Sequence, residues 1–176
     1  VCSGQSSTAI TGAWQATDDI ADQMLYFLEN HDEQRVASDY FAGCPFKAVP
    51  ALAVSLLLRR NPFMLFEGEE YGEKGMDAEG FSGNDGRTTI FDYWNPASLQ
   101  KLTAPAFEKK LTPEEAALYD YYQKILTLCN SRKAFEQGGF FDLQYANYGR
   151  DYGYNCDRQY SFLRHFGREV YLVAVN

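Results

Sequence analysis

Met24-Leu25-Tyr26-Phe27-Leu28 is a continuous apolar run that stops abruptly at Glu29, with Asn30-His31-Asp32 directly after it. Five such residues are too few for a helix, and apolar character on both faces is the pattern of a buried parallel strand. Phe63-Met64-Leu65-Phe66 repeats the pattern and again ends at an acid, Glu67. From about Phe46 to Arg60 the intervening chain is helical in pattern and apolar almost all round, through Leu52, Val54, Leu56 and Leu57. Pro50 is tolerable only near the first turn, and Asn61-Pro62 breaks the helix. Strand, crossover helix, strand is a βαβ unit. In parallel α/β architectures, ligands bind at the carboxyl ends of the strands.

Outward from this unit, residues 1 to 13 are small and polar and read as loop or frayed terminus. Thr17 before Asp18-Asp19 reads as an N-cap opening a short helix to about Gln23. Downstream, Glu67 to Pro96 carries Gly68, Gly72, Gly75, Gly80, Gly83 and Gly86 and is too long for an ordinary connection. Thr112-Pro113-Glu114-Glu115 is a capping box, with Thr112 as cap, Pro113 at N1 and Glu115 reaching back. Leu118, Tyr122, Ile125, Leu126 and Cys129 form one stripe, and Gly138-Gly139 ends that helix. Thereafter the period is two, predicting strands over Phe140–Tyr145 and Tyr160–Phe166. Gly167-Arg168-Glu169 turns the chain into Val170–Val175. That antiparallel segment predicts a boundary near residue 139.

The chain has 176 residues, with 24 acidic against 16 basic side chains and a formal charge of −8. Such a surface repels a duplex or an anionic bilayer, so no nucleic-acid partner is expected. Thirteen Phe, 13 Tyr and 2 Trp hint at a surface that stacks on something. The longest strongly apolar run, Ala48 to Leu58, is far short of the about 20 residues a membrane helix needs. Cys2, Cys44, Cys129 and Cys156 lack C-x-x-C spacing and read as separate thiols.

Both strand ends deliver polar clusters, Glu29 to Arg35 and Glu67 to Tyr71. Carboxylates gathered at one rim suit an electron-deficient transition state or a metal. Glu33, Glu67 and Glu73 read as solvated loop acids. Asn30-His31-Asp32, directly after a buried strand, reads as functional. Asp77, Glu79, Asn84 and Asp85 raise the question of calcium, but their spacing fails the EF-hand pattern, and no cofactor is expected. Phe81, Arg87, Phe91, Tyr93 and Trp94 offer stacking faces and a cation that suit sugar subsites. Packing of that loop on its own domain accounts for them equally well. His165 reads as a surface residue.

Phe27-Leu28-Glu29-Asn30-His31-Asp32 resembles the block at the end of the seventh barrel strand in the α-amylase family, glycoside hydrolase family thirteen. Pro62 through Gly72 is similar to that family's eighth-strand block, and the order of elements around both matches over about Thr17 to Asn176. The resemblance implies a fold made of the last βα units of a (β/α)8 barrel (residues 1–138) followed by part of an antiparallel β-sandwich domain (139–176). It implies a retaining enzyme acting on α-glucans. In it Asp32 is the third catalytic carboxylate, a transition-state stabiliser, and His31 donates to hydroxyls of the same glucose. Asn30, Arg35, Glu70, Tyr71 and Trp94 complete the implied substrate contacts, and an α-glucan oligosaccharide is the implied partner.

The sequence departs from the family's pattern in one respect. The blocks carrying the nucleophilic Asp and the acid/base Glu are not in it. A retaining glycosidase needs two carboxyl groups about 5 to 5.5 Å apart, and Asp32 cannot be both. The chain is therefore expected to be a fragment, inert alone, and self-associating through strands stripped of neighbours. Arg35 three residues after Asp32 resembles the trehalose- or sucrose-active transferases and isomerases of the family, the runner-up reading. A non-catalytic glucan-binding module is the third. The compartment stays open, with a periplasmic or extracellular setting favoured for a glucan-degrading parent.

Overall fold

The computed structural model describes residues 4–75, 85–88, 101, 110–150 and 153–176. Helix α1 (Thr8–Ala16) and a 3-10 turn (Ala21–Gln23) precede β1 (Tyr26–Phe27). A second 3-10 turn (Pro45–Ala48) leads into α2 (Val49–Leu57), then β2 (Phe63–Met64) and a third turn (Glu69–Tyr71). Helices α3 (Pro113–Ser131) and α4 (Lys133–Glu136) follow, then β3 (Gly139–Asp142), α5 (Gln144–Asn147), β4 (Tyr160–Phe166) and β5 (Glu169–Val175). This is a mixed α/β chain. Among the described residues, no helix is long and apolar enough to cross a membrane.

The chain divides into two compact units. One comprises Val1–Tyr26, Pro50–Phe63 and Leu126–Asn176, the other Phe27–Val49 and Met64–Ile125. In the first, β3, β4 and β5 form an antiparallel sheet in that order, with Phe141 opposite Leu163 and Leu163 opposite Leu172. Tyr160, Phe162, Phe135 and Leu52 are core residues there. In the second, Val36, Ala42 and Ala48 pack with Leu28.

The strand–helix–strand order holds, but the strands are shorter than the apolar runs. Only Tyr26–Phe27 and Phe63–Met64 pair, with the Tyr26 N–H donating to the Pro62 carbonyl at 3.0 Å. The expectation of burial on both faces fails: Leu25 is 48% and Phe27 40% exposed. A strand with one described partner has too few neighbours to cover both faces.

Residues 8–13, expected to be loop, belong instead to helix α1, which runs to Ala16. Sequence periodicity could not show it, because α1 buries no residue of its own. Polar ties from distant residues fix it instead. Thr11 Oγ1 and Trp14 Nε1 both donate to Asp142 Oδ2, at 2.6 and 2.8 Å, and the Ser7 hydroxyl meets the Cys156 and Gln159 carbonyls at 2.7 Å each. Thr17 is accordingly the C-cap of α1 rather than an N-cap, its hydroxyl donating back to the Ala13 carbonyl at 3.1 Å. The strand expected to Tyr145 stops at Asp142, whose Oδ1 accepts the Gln144 N–H at 2.6 Å and opens α5.

The capping box is present in full. The Thr112 N–H donates to Glu115 Oε2 at 2.8 Å and the Glu115 N–H to Thr112 Oγ1 at 3.2 Å. Leu118, Tyr122 and Ile125 are the buried residues of α3, which ends at Ser131, before the glycine pair. Cys44, Cys129 and Cys156 are free thiols. His165 is exposed.

Candidate functional site

The site lies in the second unit, on the loop that leaves β1. Its root is an ion pair: Glu29 Oε2 accepts from Arg35 Nη1 at 2.9 Å, and both side chains are buried. Glu29 Oε1 also accepts the Val36 N–H at 2.5 Å, closing residues 29–36 into a ring of polar contacts. Arg35 reaches further. Its Nη2 donates to the Glu67 carbonyl at 2.8 Å, its Nε donates to Thr88 Oγ1 at 2.9 Å, and its guanidinium lies 4.1 Å from the Phe66 ring centroid. One side chain thus joins the loop after β1 to the chain leaving β2 and to residues 86–88. The Arg35 N–H adds a bond to the Gly86 carbonyl at 2.9 Å.

On this root stands the Asn30-His31-Asp32 turn. Asn30 Oδ1 accepts the N–H groups of Asp32 and Glu33 at 2.8 and 3.0 Å, a side-chain cap that sets the local backbone. Arg87 Nε donates to the Asp32 carbonyl at 2.6 Å, and Asp85 in turn pairs with Arg87 Nη1 at 2.5 Å. The backbone of Asp32 is held from both sides while its side chain points outward, 76% exposed. His31 Nε2 lies 3.5 Å from Asp32 Oδ2 and is 48% exposed. An imidazole and a carboxylate therefore stand side by side facing solvent, on a fixed backbone. That pair can donate to one hydroxyl and accept from its neighbour.

The other expected contacts are placed differently. Arg35 has no exposed surface, and the protein's own acceptors engage its Nε, Nη1 and Nη2. Tyr71 is buried, stacked on Tyr119 at 5.9 Å between centroids, and its hydroxyl donates to Glu70 Oε1 at 2.6 Å. Glu70 is half-buried. The turn bearing Glu69, Glu70 and Tyr71 runs between Gly68 and Gly72, both at positive φ. A Cβ on Gly72 would come within 2.7 Å of Pro45 Cγ, so the turn needs glycine there for space as well as conformation. Trp94, with Phe81, Phe91 and Tyr93, lies outside the described residues, as do Asp77, Glu79 and Asn84. Asp85 is engaged with Arg87. Among the described residues no group of His, Cys, Asp and Glu could hold a metal ion.

Sequence reasoning missed a buried acidic layer. Glu33 and Glu67 are exposed, but Glu73, expected to be solvated, is buried with Glu29 and Glu69. Burial, then the charge of Glu29, pushes the Glu69 carboxyl up to about 8, and Tyr122 donates to its Oε1 at 2.8 Å. Burial also pushes Glu73 and Glu29 up, with Arg35 pulling the other way in both. A carboxyl near 8 has the value of a general acid, but Glu69 is only 3% exposed. The opposite charges of Glu29 and Arg35 were the visible signal for the pair, masked by the run of polar residues between them.

No family model matches this chain, and no curated protein does. Solved structures do. A MutB variant in complex with glucose matches 98% of this chain at 20% identity and a TM-score of 0.60, over 38% of its own length. AmyP in complex with maltose matches 85% of this chain and 30% of its own at 18% identity and a TM-score of 0.56. The isomaltulose synthase SmuA from Protaminobacter rubrum matches 93% and 37% at 20% identity and a TM-score of 0.52. The chain thus has the α/β fold of a segment of these proteins and spans well under half of their length.

Proposed function

We propose that this chain is part of a retaining α-glucan-active glycoside hydrolase of the α-amylase type. In this reading residues 1–138 belong to the end of a (β/α)8 barrel and residues 139–176 begin an antiparallel β domain. The observation that carries it is the His31–Asp32 pair, exposed on a backbone fixed by Asn30 and Arg87 directly after β1. The fold likeness to maltose-bound AmyP supports it.

Asp32 accepts from vicinal sugar hydroxyls, whose acidity rises beside a developing oxocarbenium centre, so its hold tightens in the transition state. His31 supplies a directional donor to the same ring. Asn30 orients both through the turn. Arg35 serves the site from below by joining the two strand ends, and Tyr71 orients the Glu70 carboxylate. Glu70 and Trp94 are the proposed further sugar contacts. The nucleophile and the acid/base belong to the remainder of a longer parent, so the chain alone hydrolyses nothing.

A second reading is a sucrose-active isomerase or transferase. A MutB variant in complex with sucrose, its substrate, matches 98% of this chain at 19% identity and a TM-score of 0.59. Product analysis of the parent on maltoheptaose and on sucrose separates the two. Shorter maltooligosaccharides support the hydrolase, an isomer of sucrose supports the second reading, and no product from either sugar overturns both. Turnover of starch by the pure chain would contradict the assignment of the missing carboxylates.

A further inference from the structure

In the first unit, a cavity of about 250 Å³ is lined by Asp22, Arg59, Arg60, Asn61, Gln137, Gly138, Gly139, Phe140 and Arg164. Three guanidinium groups border one small space, in a protein whose net charge is −8. Arg164 is fully buried and donates to carbonyls only: Leu57 at 2.7 Å, Phe135 at 2.9 Å, Arg59 at 3.0 Å, and Gly138 and Gly139 at 3.1 Å each. All five of its N–H groups are used, yet among the described residues no carboxylate is paired with it. Carbonyl dipoles satisfy the donors but leave the unit charge in place.

The other two arginines differ. Arg59 lies 5.1 Å from the ring centroids of both Trp14 and Phe140, and its Nε is buried with no partner. Arg60 pairs with Asp22 at 3.0 Å, and Arg59 with Asp18, but both carboxylates are mostly exposed and screened by water. The compensation sits at the rim while the positive charge lies beneath. Burial, with Arg60 and Arg59 adding to it, lowers Arg164 to about 10, in keeping with an excess of positive potential.

We propose that this cavity is a binding site for a phosphate-class dianion, held over the Arg164 charge by the Arg59 and Arg60 guanidinium groups, with Asp22 as the internal competitor for Arg60. Paired guanidinium forks suit tetrahedral oxyanions, and the space is below that of drug-sized ligands but ample for a phosphoryl group with waters. The site shares no residue with the His31–Asp32 turn and does not depend on its role.

The test is a titration of the chain with inorganic phosphate and, separately, glycerol 3-phosphate, at ionic strength held constant with chloride, read from the amide resonances of Asn61, Gly138 and Gly139. Saturable shifts, at least fivefold weaker in Arg60→Gln and several-fold tighter in Asp22→Asn, are expected. Both side chains are solvent-facing, so neither variant threatens the fold. Tighter binding of the monoester marks a phosphorylated small molecule as the occupant, and equal or weaker binding marks the free ion. Non-saturating shifts, equal shifts with chloride, or midpoints unmoved in both variants would overturn the proposal.

Discussion

Glu29 and Arg35 form a fully enclosed ion pair at 2.9 Å, six residues apart, and everything between them is the loop that presents His31 and Asp32. Removing one member of such a pair strands a charge where water cannot reach it. Arg35→Met should therefore cost about 3–5 kcal/mol in urea unfolding, and replacing both by methionine should cost clearly less. A small loss for the single variant would show that the pair does not anchor the loop.

Glu69 makes stability depend on pH. Its folded value of about 8 lies above the ordinary carboxyl value, so the folded chain holds this proton where the unfolded chain has released it. The contribution is complete below the ordinary carboxyl range and is lost as pH rises towards about 8. Unfolding midpoints should fall between pH 5 and pH 8. Glu69→Gln, which keeps an acceptor for Tyr122, should flatten much of that slope and be the more stable protein at pH 8. Equal slopes in both proteins would contradict the burial-driven shift.

The described elements divide by the kind of signal each leaves in the sequence. Elements set by local chemistry were legible: the Thr112–Glu115 box, the Tyr160–Phe166 strand, and the strand–helix–strand order. Elements set by distant partners were not. Helix α1 owes its place to Asp142, more than a hundred residues on. The end of β3 is at the same Asp142, whose Oδ2 takes Thr11 and Trp14 from far along the chain while its Oδ1 accepts the Gln144 N–H. At the candidate site, the Asn30-His31-Asp32 segment could be singled out in the sequence because its three residues are consecutive. The Glu29–Arg35 pair, Arg87 and the burial of Glu73 were hidden, because a charged residue's partner is invisible until the chain folds.

Asp142 Oδ2 is a single acceptor for three donors, from Thr11, Trp14 and Tyr160. Asp142→Ala should cost about 2–4 kcal/mol, since buried donors lose their partner together. Trp14 fluorescence should change in the folded state. A variant with unchanged stability would show that α1 is held by other means.

Leu25 and Phe27 are exposed near β1, and Val170 and Leu172 stand exposed on β5, an edge of the three-stranded sheet. Such edges invite pairing. Light scattering should show mass rising with concentration, and Leu172→Lys should reduce it. A concentration-independent monomer would contradict this.

The central claim is that Asp32 acts on a sugar and not on the fold. Its carboxylate is mostly exposed, so Asp32→Asn should change unfolding free energy by no more than about 0.5 kcal/mol. In the proposed parent enzyme, the same change should lower kcat by about 10²-fold or more with a much smaller effect on KM. Full activity of that variant on both maltoheptaose and sucrose would contradict the account.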